Sequence, residues 1–407
     1  MAEADTRQIE PEAPAYPMQR TCPYQPPQGY EQLREQGPLA RVTLFDGRTA
    51  WVVGGNTEGR ALLPDPRLSV DVRNPDFPLM APRIEAQRQR ATPLIGVDDP
   101  EHARQRRMSI PGFGIRRINA LRPEIEKIAD TLIDNMTAHG SSADLVTEFA
   151  LPLPSKAICL LLGIPYEDHD YFAERSRHVL SSSGEEQAAQ AQQAFGEILQ
   201  YLYDLIGERE ADPRDGLLDE LITQRLLEGA VDRNELAMIA TVLLVSGHET
   251  TANMIGISVL TLLEHPEQLA ALRADPALMP GAVDELFRFT SIGDTLPRVA
   301  TEDIEVGGQL IKAGDGVIVS NMLMNRDPSA FENADQLDIR RAAGRHVAFG
   351  FGIHQCIGQN LARAEMEIAL NRLFSRLPNL RLAIPASEVQ VKPAFVLQGV
   401  EELPVTW

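Results

Sequence analysis

Only three cysteines occur in the 407 residues: Cys22, Cys159 and Cys356. An odd count at such wide spacing is no disulfide framework, and no Cys-x-x-Cys clip for a bare metal ion is present. The count fits a reducing cytoplasm. Long apolar runs are also missing. The longest, AICLLLGI at 157–164, falls far short of the roughly 20 residues that span a bilayer. The N-terminal stretch carries Glu3, Asp5, Glu10 and Glu12 where a signal peptide would be apolar. Positive charge is scarce: 38 Lys and Arg stand against 58 Asp and Glu, a net charge of -20. That balance argues against a nucleic-acid footprint and against docking on anionic lipid. The expectation is a soluble, cytoplasmic, monomeric protein with neither nucleic acid nor membrane as partner. Core-forming residues are present in ordinary measure, 43% hydrophobic against 24% charged, enough at this length to bury a core without staples.

No repeat, low-complexity tract or linker divides the chain. Residues 1–29 hold Pro11, Pro14, Pro17, Pro23, Pro26 and Pro27 and read as an extended lead-in, because proline lacks the amide donor that regular structure needs. Residues 30–407 read as one domain. A short helix and a hairpin come first, with strands near 41–45 and 50–53 and a turn at Asp46-Gly47. From about 98 to 290 the apolar spacing is helical, with a break at the prolines of 152–154 and helices over 185–209 and 215–229. The longest helix starts at Asp232, whose spacing to Glu235 resembles a capping box, and stops before Pro266. Its middle is apolar on nearly every side, the mark of a buried central helix. Short strands, an irregular segment, another helix and a strand region complete the chain. The fold class is therefore mainly α with a small β part drawn from both ends.

Three weak motifs fail on inspection. Gly350-Phe351-Gly352 lacks the third glycine of a dinucleotide loop, since position 355 is Gln. HETTA at 248–252 has Ala252 where a zinc-protease helix needs its second His. Ser246 lacks the flanking glycines of a nucleophile elbow.

Cys356 is different. A lone cysteine is more often an inert buried thiol, but this one precedes IGQNLARAEMEIAL, a good helix. It sits at the positive end of a dipole among unpaired amides, and both favour thiolate. Glycines upstream permit a tight bend, and Gly358 leaves room for something flat and large against the helix start. A thiolate with amide donors and an open face suits a haem iron.

The run Phe349-Gly350-x-Gly352-x-His354-x-Cys356-x-Gly358, followed by Leu361-Ala362-Arg363, resembles the haem-binding signature of the cytochrome P450 superfamily. The resemblance extends over nearly the whole chain after the lead-in and is strongest to bacterial, especially actinobacterial, members. It implies their fold, a triangular helix-rich haem domain around a long central helix, and haem b (iron protoporphyrin IX) ligated axially by Cys356, with Phe349, Gly350 and Gly358 against the cofactor. It implies that Glu249 and Thr250, in the long helix, form an acid–alcohol pair over the open side of the haem. Thr250 would hold bound dioxygen and a water, Glu249 would relay protons, and local opening at Gly247 would make a groove for both. Ser246 stands where the family mostly has Ala or Gly; its hydroxyl could meet substrate or bond back to the helix, the reading preferred here.

By the same resemblance, His102, Arg106, Arg298 and His354 would bind the haem propionates, to which arginine is well matched. Glu285 and Arg288, at i,i+3 on one helix face, would brace the cysteine loop. Gln336 stands where a third, arginine member of that brace is expected, which predicts a weaker or differently completed brace. Pocket walls are expected at 75–97, 171–195, 291–296 and around Phe395-Val396, with Leu94, Ile95, Val97, Leu243, Ser246, Ile292 and Val396 facing a bulky apolar substrate. Six arginines without an acid (Arg104, Arg106, Arg107, Arg116, Arg117 and Arg122), with Arg340, Arg341 and Arg345 near the loop, suggest a docking patch for an acidic ferredoxin fed by its reductase. The implied activity is monooxygenation with dioxygen as cosubstrate. A peroxygenase or a non-oxygenating haem-thiolate enzyme, and a non-catalytic haem sensor or carrier, are the alternatives; the intact Glu249–Thr250 pair speaks against both.

Overall fold

The computed structural model describes residues 13–81, 91–165, 168–180, 185–392 and 397–407. In chain order the helices are α1 (Tyr30–Glu35), α2 (Asn56–Leu62), α3 (Glu101–Ser109), α4 (Ile115–Ala138), α5 (Pro152–Leu162), α6 (His169–Leu180), α7 (Glu185–Ala211), α8 (Leu217–Leu221), α9 (Arg233–Leu263), α10 (Pro266–Ala274), α11 (Met279–Thr290), α12 (Asn321–Asn325) and α13 (Gln359–Arg376). The strands are β1 (Leu39–Thr43), β2 (Thr49–Val53), β3 (Leu68–Ser69), β4 (Ser142–Asp144), β5 (Thr295–Ala300), β6 (Ile304–Val306), β7 (Gln309–Ile311), β8 (Gly316–Ser320), β9 (Arg381–Leu382) and β10 (Pro404–Thr406).

The main sheet has the order β1-β2-β8-β5-β3, so the two ends of the chain interleave. β2 and β8 run parallel and the other pairs antiparallel. At its edge, the β1–β2 turn places Gly47 at φ +82, a left-handed conformation that favours glycine. A second sheet, β4-β10-β9, ties the helical region to the C-terminus.

Helix α9 is the axis of the helical part. It packs against α5, α7 and α13, and 24 of its 31 residues are buried. Each buried Leu or Ile there contributes about 1.5–3 kcal/mol by leaving water. Its buried hydroxyls are satisfied locally: Thr241 donates to the Ala237 carbonyl at 2.8 Å and Thr261 to that of Ile257 at 2.7 Å. Asp232 caps the helix by accepting from the Glu235 amide at 2.8 Å. The reciprocal half of the expected capping box is not used. The Glu235 carboxylate instead binds Arg104 and Gln105, fastening α3 to the start of α9.

Two other expectations are refined. The proline break near 152–154 is the seam between a π-helical turn at Val146–Ala150 and α5. The helix expected over 215–229 is only α8 followed by a π turn at Ile222–Leu226. The proline-rich segment is irregular from 13 to 28, yet it packs on the body of the protein. Tyr16 donates its amide to the Thr43 carbonyl at 2.8 Å. Buried Arg20 donates to the carbonyls of Pro23 and Thr290 at 2.7 and 3.1 Å, and burial lowers its pKa to about 10. Among the described residues no helix is long and apolar enough to cross a membrane.

Candidate active site

The cysteine loop is built by backbone geometry. Gly350 and Gly352 lie at φ +70 and +80, where a side chain would be strained. A Cβ on Gly352 would also press to 3.0 Å from Pro64 Cα. The Cys356 amide donates to the Phe349 carbonyl at 2.8 Å and closes the loop. Gly358 caps α13, and a Cβ there would meet no protein atom within 4 Å except Cys356 Sγ at 3.8 Å. The face beside the sulfur is thus clear of protein, as a flat ligand requires. Cys356 keeps accessible surface on one side, but surrounding protein desolvates it and raises its pKa. The amides of Gly358 and Gln359, with Arg106 and Arg363, oppose that rise without cancelling it. The amides at the helix start and the two arginines thus pull toward the thiolate against desolvation, and a coordinated cation would pull further in the same direction.

The loop is held from behind by α11. Phe349 lies 4.6 Å from the Phe287 ring and under the Arg363 guanidinium at 4.5 Å. Arg363 in turn donates to Asp284 at 2.8 Å. Glu285 and Arg288, both fully buried, share two hydrogen bonds of 2.7 and 2.8 Å. Arg288 also donates to the carbonyls of Asn325 (2.7 Å), Ala334 (2.7 Å) and Gln336 (3.1 Å). Buried Asn325 then accepts from the Val347 amide at 2.7 Å, joining the brace to the loop. The third place is filled by Arg341, which reaches Glu285 at 3.2 Å and the Gln336 carbonyl at 3.3 Å. Gln336 takes part through its backbone, so the brace is complete, not weakened. Arg341 had been assigned to the surface basic run, and neither it nor Asn325 has a sequence pattern that marks the role.

His102, Arg106, Arg298 and His354 converge. The two imidazoles are 3.9 Å apart between ring centres. Arg106 donates to the Gln355 carbonyl in the loop, and Arg298 is buried on β5, with its pKa lowered to about 10 by desolvation. Desolvation, then His102 and Arg298, push His354 down to about 3. His102 Nε2 and His354 Nδ1 are buried without hydrogen-bond partners. Such orphaned atoms call for an explanation, and carboxylates of a bound haem supply one, satisfying them and offsetting the cationic cluster. The residues present fit the cofactor.

On α9, Thr250 Oγ1 donates to the Ser246 carbonyl at 2.7 Å. This is a back-bond of Thr250 within the helix. The helix runs unbroken through Gly247, without the expected opening. A Cβ at Gly247 would lie 2.9 Å from Ile158 Cδ1, so this glycine serves the close approach of α5. Glu249 is buried; its Oε1 pairs with Lys392, and Oε2 has no partner. Neither Lys392 nor Glu365 was anticipated. Glu365 lies fully buried on α13, and burial raises its carboxyl well above the usual range, partly offset by Thr251.

Of the expected pocket residues, Leu94, Val97 and Leu243 are buried. Leu94 adopts φ +66 and donates its amide to Gln105 Oε1 at 2.8 Å. Ile292 is half-buried, Ser246 is exposed and Ile95 is 60% exposed; Val396 lies outside the described residues. A cavity of about 720 Å³ between α1, α2, the β1–β2 strands and 327–336 contains none of the haem-site residues. The basic run is partly consumed. Arg104, Arg117 and Arg122 pair with Glu235, Glu220 and Glu367, while Arg107 and Arg116 stay exposed beside exposed Ile110 and Ile115.

Comparison with known proteins agrees with this geometry. The family model for cytochrome P450 matches residues 72–378. Pentalenic acid synthase of Streptomyces avermitilis is 57% identical over 393 residues, covering 97% of each chain. The 20-oxo-5-O-mycaminosyltylactone 23-monooxygenase of Streptomyces fradiae is 43% identical, covering 97% of this chain and 92% of its own. The solved structure of mycinamicin VIII C21 methyl hydroxylase from Micromonospora griseorubida superposes with a TM-score of 0.90 at 42% identity, covering 97% and 100% of the two chains. Relatives named as synthase, monooxygenase and hydroxylase set the non-catalytic alternative aside. With its cysteine loop, its brace and its cluster of arginines and unpartnered imidazoles, the chain belongs to the cytochrome P450 family and is a haem-thiolate monooxygenase.

Proposed function

We propose that this monooxygenase hydroxylates or epoxidises a bulky, largely apolar organic molecule, using electrons from a separate ferredoxin and its reductase, as a cytoplasmic monomer. The observation that carries the oxygenase chemistry is the consecutive Glu249–Thr250 pair on α9, with Glu249 Oε2 buried and unpaired and the Thr250 hydroxyl held, among the described residues, only by the Ser246 carbonyl. Haem, when held by Cys356, would supply dioxygen activation, to which the thiolate's electron donation would contribute. The protein's part is to position and to move protons. Thr250 parks its hydroxyl on the Ser246 carbonyl and can turn it into the site at the cost of one hydrogen bond, about 1 kcal/mol. Glu249 is the adjacent group that exchanges a proton at Oε2. Relatives named for pentalenic acid and mycinamicin VIII support an organic small-molecule substrate, and buried Val97 and Leu243 support apolar walls.

Removing the hydroxyl with Thr250→Ala is expected to cut product formed per electron roughly a hundredfold, the low end for loss of a proton-handling group, while electron consumption continues. Simultaneous assay of cofactor oxidation and product checks this. An unchanged ratio removes Thr250 from the relay.

Ferredoxin docking is assigned to the surface where Arg107 and Arg116 flank Ile110 and Ile115. The double change R107E/R116E is expected to raise the KM for ferredoxin about tenfold at low salt and progressively less as salt screens the contact. Steady-state titration of ferredoxin across ionic strengths measures it. A KM that ignores both the substitutions and the salt places docking elsewhere.

A further inference from the structure

Glu249 has one charged partner among the described residues, and it comes from far along the chain. The backbone around Lys392 is fixed by short pairings: Val391 bridges Val400, the Lys392 amide donates to the Gly399 carbonyl at 2.9 Å, and Glu401 donates to that of Gln390 at 3.0 Å. The same segment rests on the site, since Leu397 bridges Gly293 and the Gln398 amide donates to the Ile292 carbonyl at 2.8 Å. From this base the Lys392 side chain passes Gly399, where a Cβ would lie 3.0 Å from Lys392 Cδ and 2.4 Å from Asn253 Oδ1. The ammonium then donates to Asn253 Oδ1 at 2.8 Å and pairs with Glu249 Oε1. Glu249 and Asn253 stand at i,i+4 on one face of α9, so both are gripped by one cation.

The pair straddles the edge of the protein, with 22% of the Lys392 side chain accessible against 7% of that of Glu249. One carboxylate oxygen is anchored toward the accessible side, and the other is buried and bare.

We propose that Lys392 is a positioning residue for Glu249: it holds the carboxylate facing the 390–400 segment, so that protons enter the site along this side. The proposal rests on the reading of Glu249 as the proton relay. A proton from water adds to the Glu249 carboxylate and leaves from it into the site, while Lys392 remains an ammonium throughout and supplies only charge and direction. Asn253 completes the grip, and Gly399 is required because any side chain there would displace it.

The test compares the haem-loaded wild type with K392M, K392R, E249Q and the double variant E249Q/K392M, reading product per electron. K392M is expected to lower the ratio about fivefold, K392R to recover most of it, and the double variant to be no worse than E249Q, since groups that act as a unit are non-additive. Gly399→Ala is expected to shift the ratio in the same direction as K392M. A second readout is independent of turnover. The chain has only four lysines, Lys127, Lys156, Lys312 and Lys392, so acetylation of each can be followed by peptide mass spectrometry. E249Q is expected to speed labelling of Lys392 several-fold and to leave Lys127 and Lys312 unchanged, because the ion pair and its shielding are lost. If E249Q lowers product per electron but K392M does not, the positioning role of Lys392 is overturned and the relay stands. If E249Q leaves the ratio unchanged, the relay reading falls and this proposal with it. Labelling of Lys392 that is indifferent to E249Q also overturns the proposal, since the pair then does not form.

Discussion

Arg288→Ala is expected to destabilise the protein by about 3–5 kcal/mol, the usual consequence of leaving one member of a buried ion pair alone. Glu285 is fully accessible to nothing but its neighbours, so its charge would lose the two-pronged partner that offsets desolvation. The buried carbonyls of Asn325 and Ala334 would lose their Arg288 donor at the same time, while that of Gln336 keeps Arg341. Arg341 stays within 3.2 Å of Glu285 and recovers part of the loss, which keeps the effect near the lower end of the range. Because Asn325 hands the brace on to Val347, haem retention is expected to fall together with stability. Lysine does not substitute well, since a single ammonium cannot present the planar fork. The double change Glu285→Leu/Arg288→Met removes both charges and is expected to be milder than Arg288→Ala alone. Urea midpoints followed by circular dichroism, with haem content measured in parallel, decide this. A midpoint unaltered in Arg288→Ala shows that the brace does not carry the loop.

Cys356→Ala is expected to have the opposite profile, with the fold kept and oxygenation abolished. The Cys356 side chain fills no core position, and it is the loop glycines and the Cys356 amide that make the turn. The stability change of the haem-free protein should therefore stay within about 0.5 kcal/mol, as for substitutions away from packed features. What is lost is the sulfur and its electron donation. Cys356→His separates ligation from donation, because imidazole binds iron without the thiolate's push. It is expected to retain haem and lose turnover. Wild-type turnover in either variant removes Cys356 from the chemistry.

The cysteine loop and the acid–alcohol pair were legible because each is a contiguous pattern, in which local backbone geometry and the order of side chains carry the meaning. The brace was only half legible. Glu285 and Arg288 share a helix face, but Arg341 arrives through a turn over 333–341, where Asn333 has φ +49, and no spacing rule marks it. Lys392 lies 143 residues from Glu249, and only the packing of the C-terminal segment on α9 brings them together. At Cys356 the helix start is visible in sequence, whereas desolvation depends on every neighbour. Gly247 was read as a place where the helix opens, when its role is to admit Ile158. The arginine run was read as one surface because helical residues point in all directions only once the helix is built. Arg104 then turns to α9 and Arg106 to the cysteine loop, leaving Arg107 and Arg116 outside.

The most direct test of ligation by Cys356 is the difference spectrum of the reduced protein with carbon monoxide, recorded for wild type and Cys356→His. The account predicts the long-wavelength band of thiolate ligation in the wild type and its replacement by the shorter-wavelength band of imidazole ligation in the variant. A wild type showing the shorter-wavelength band alone, or a variant that keeps the long-wavelength one, contradicts it.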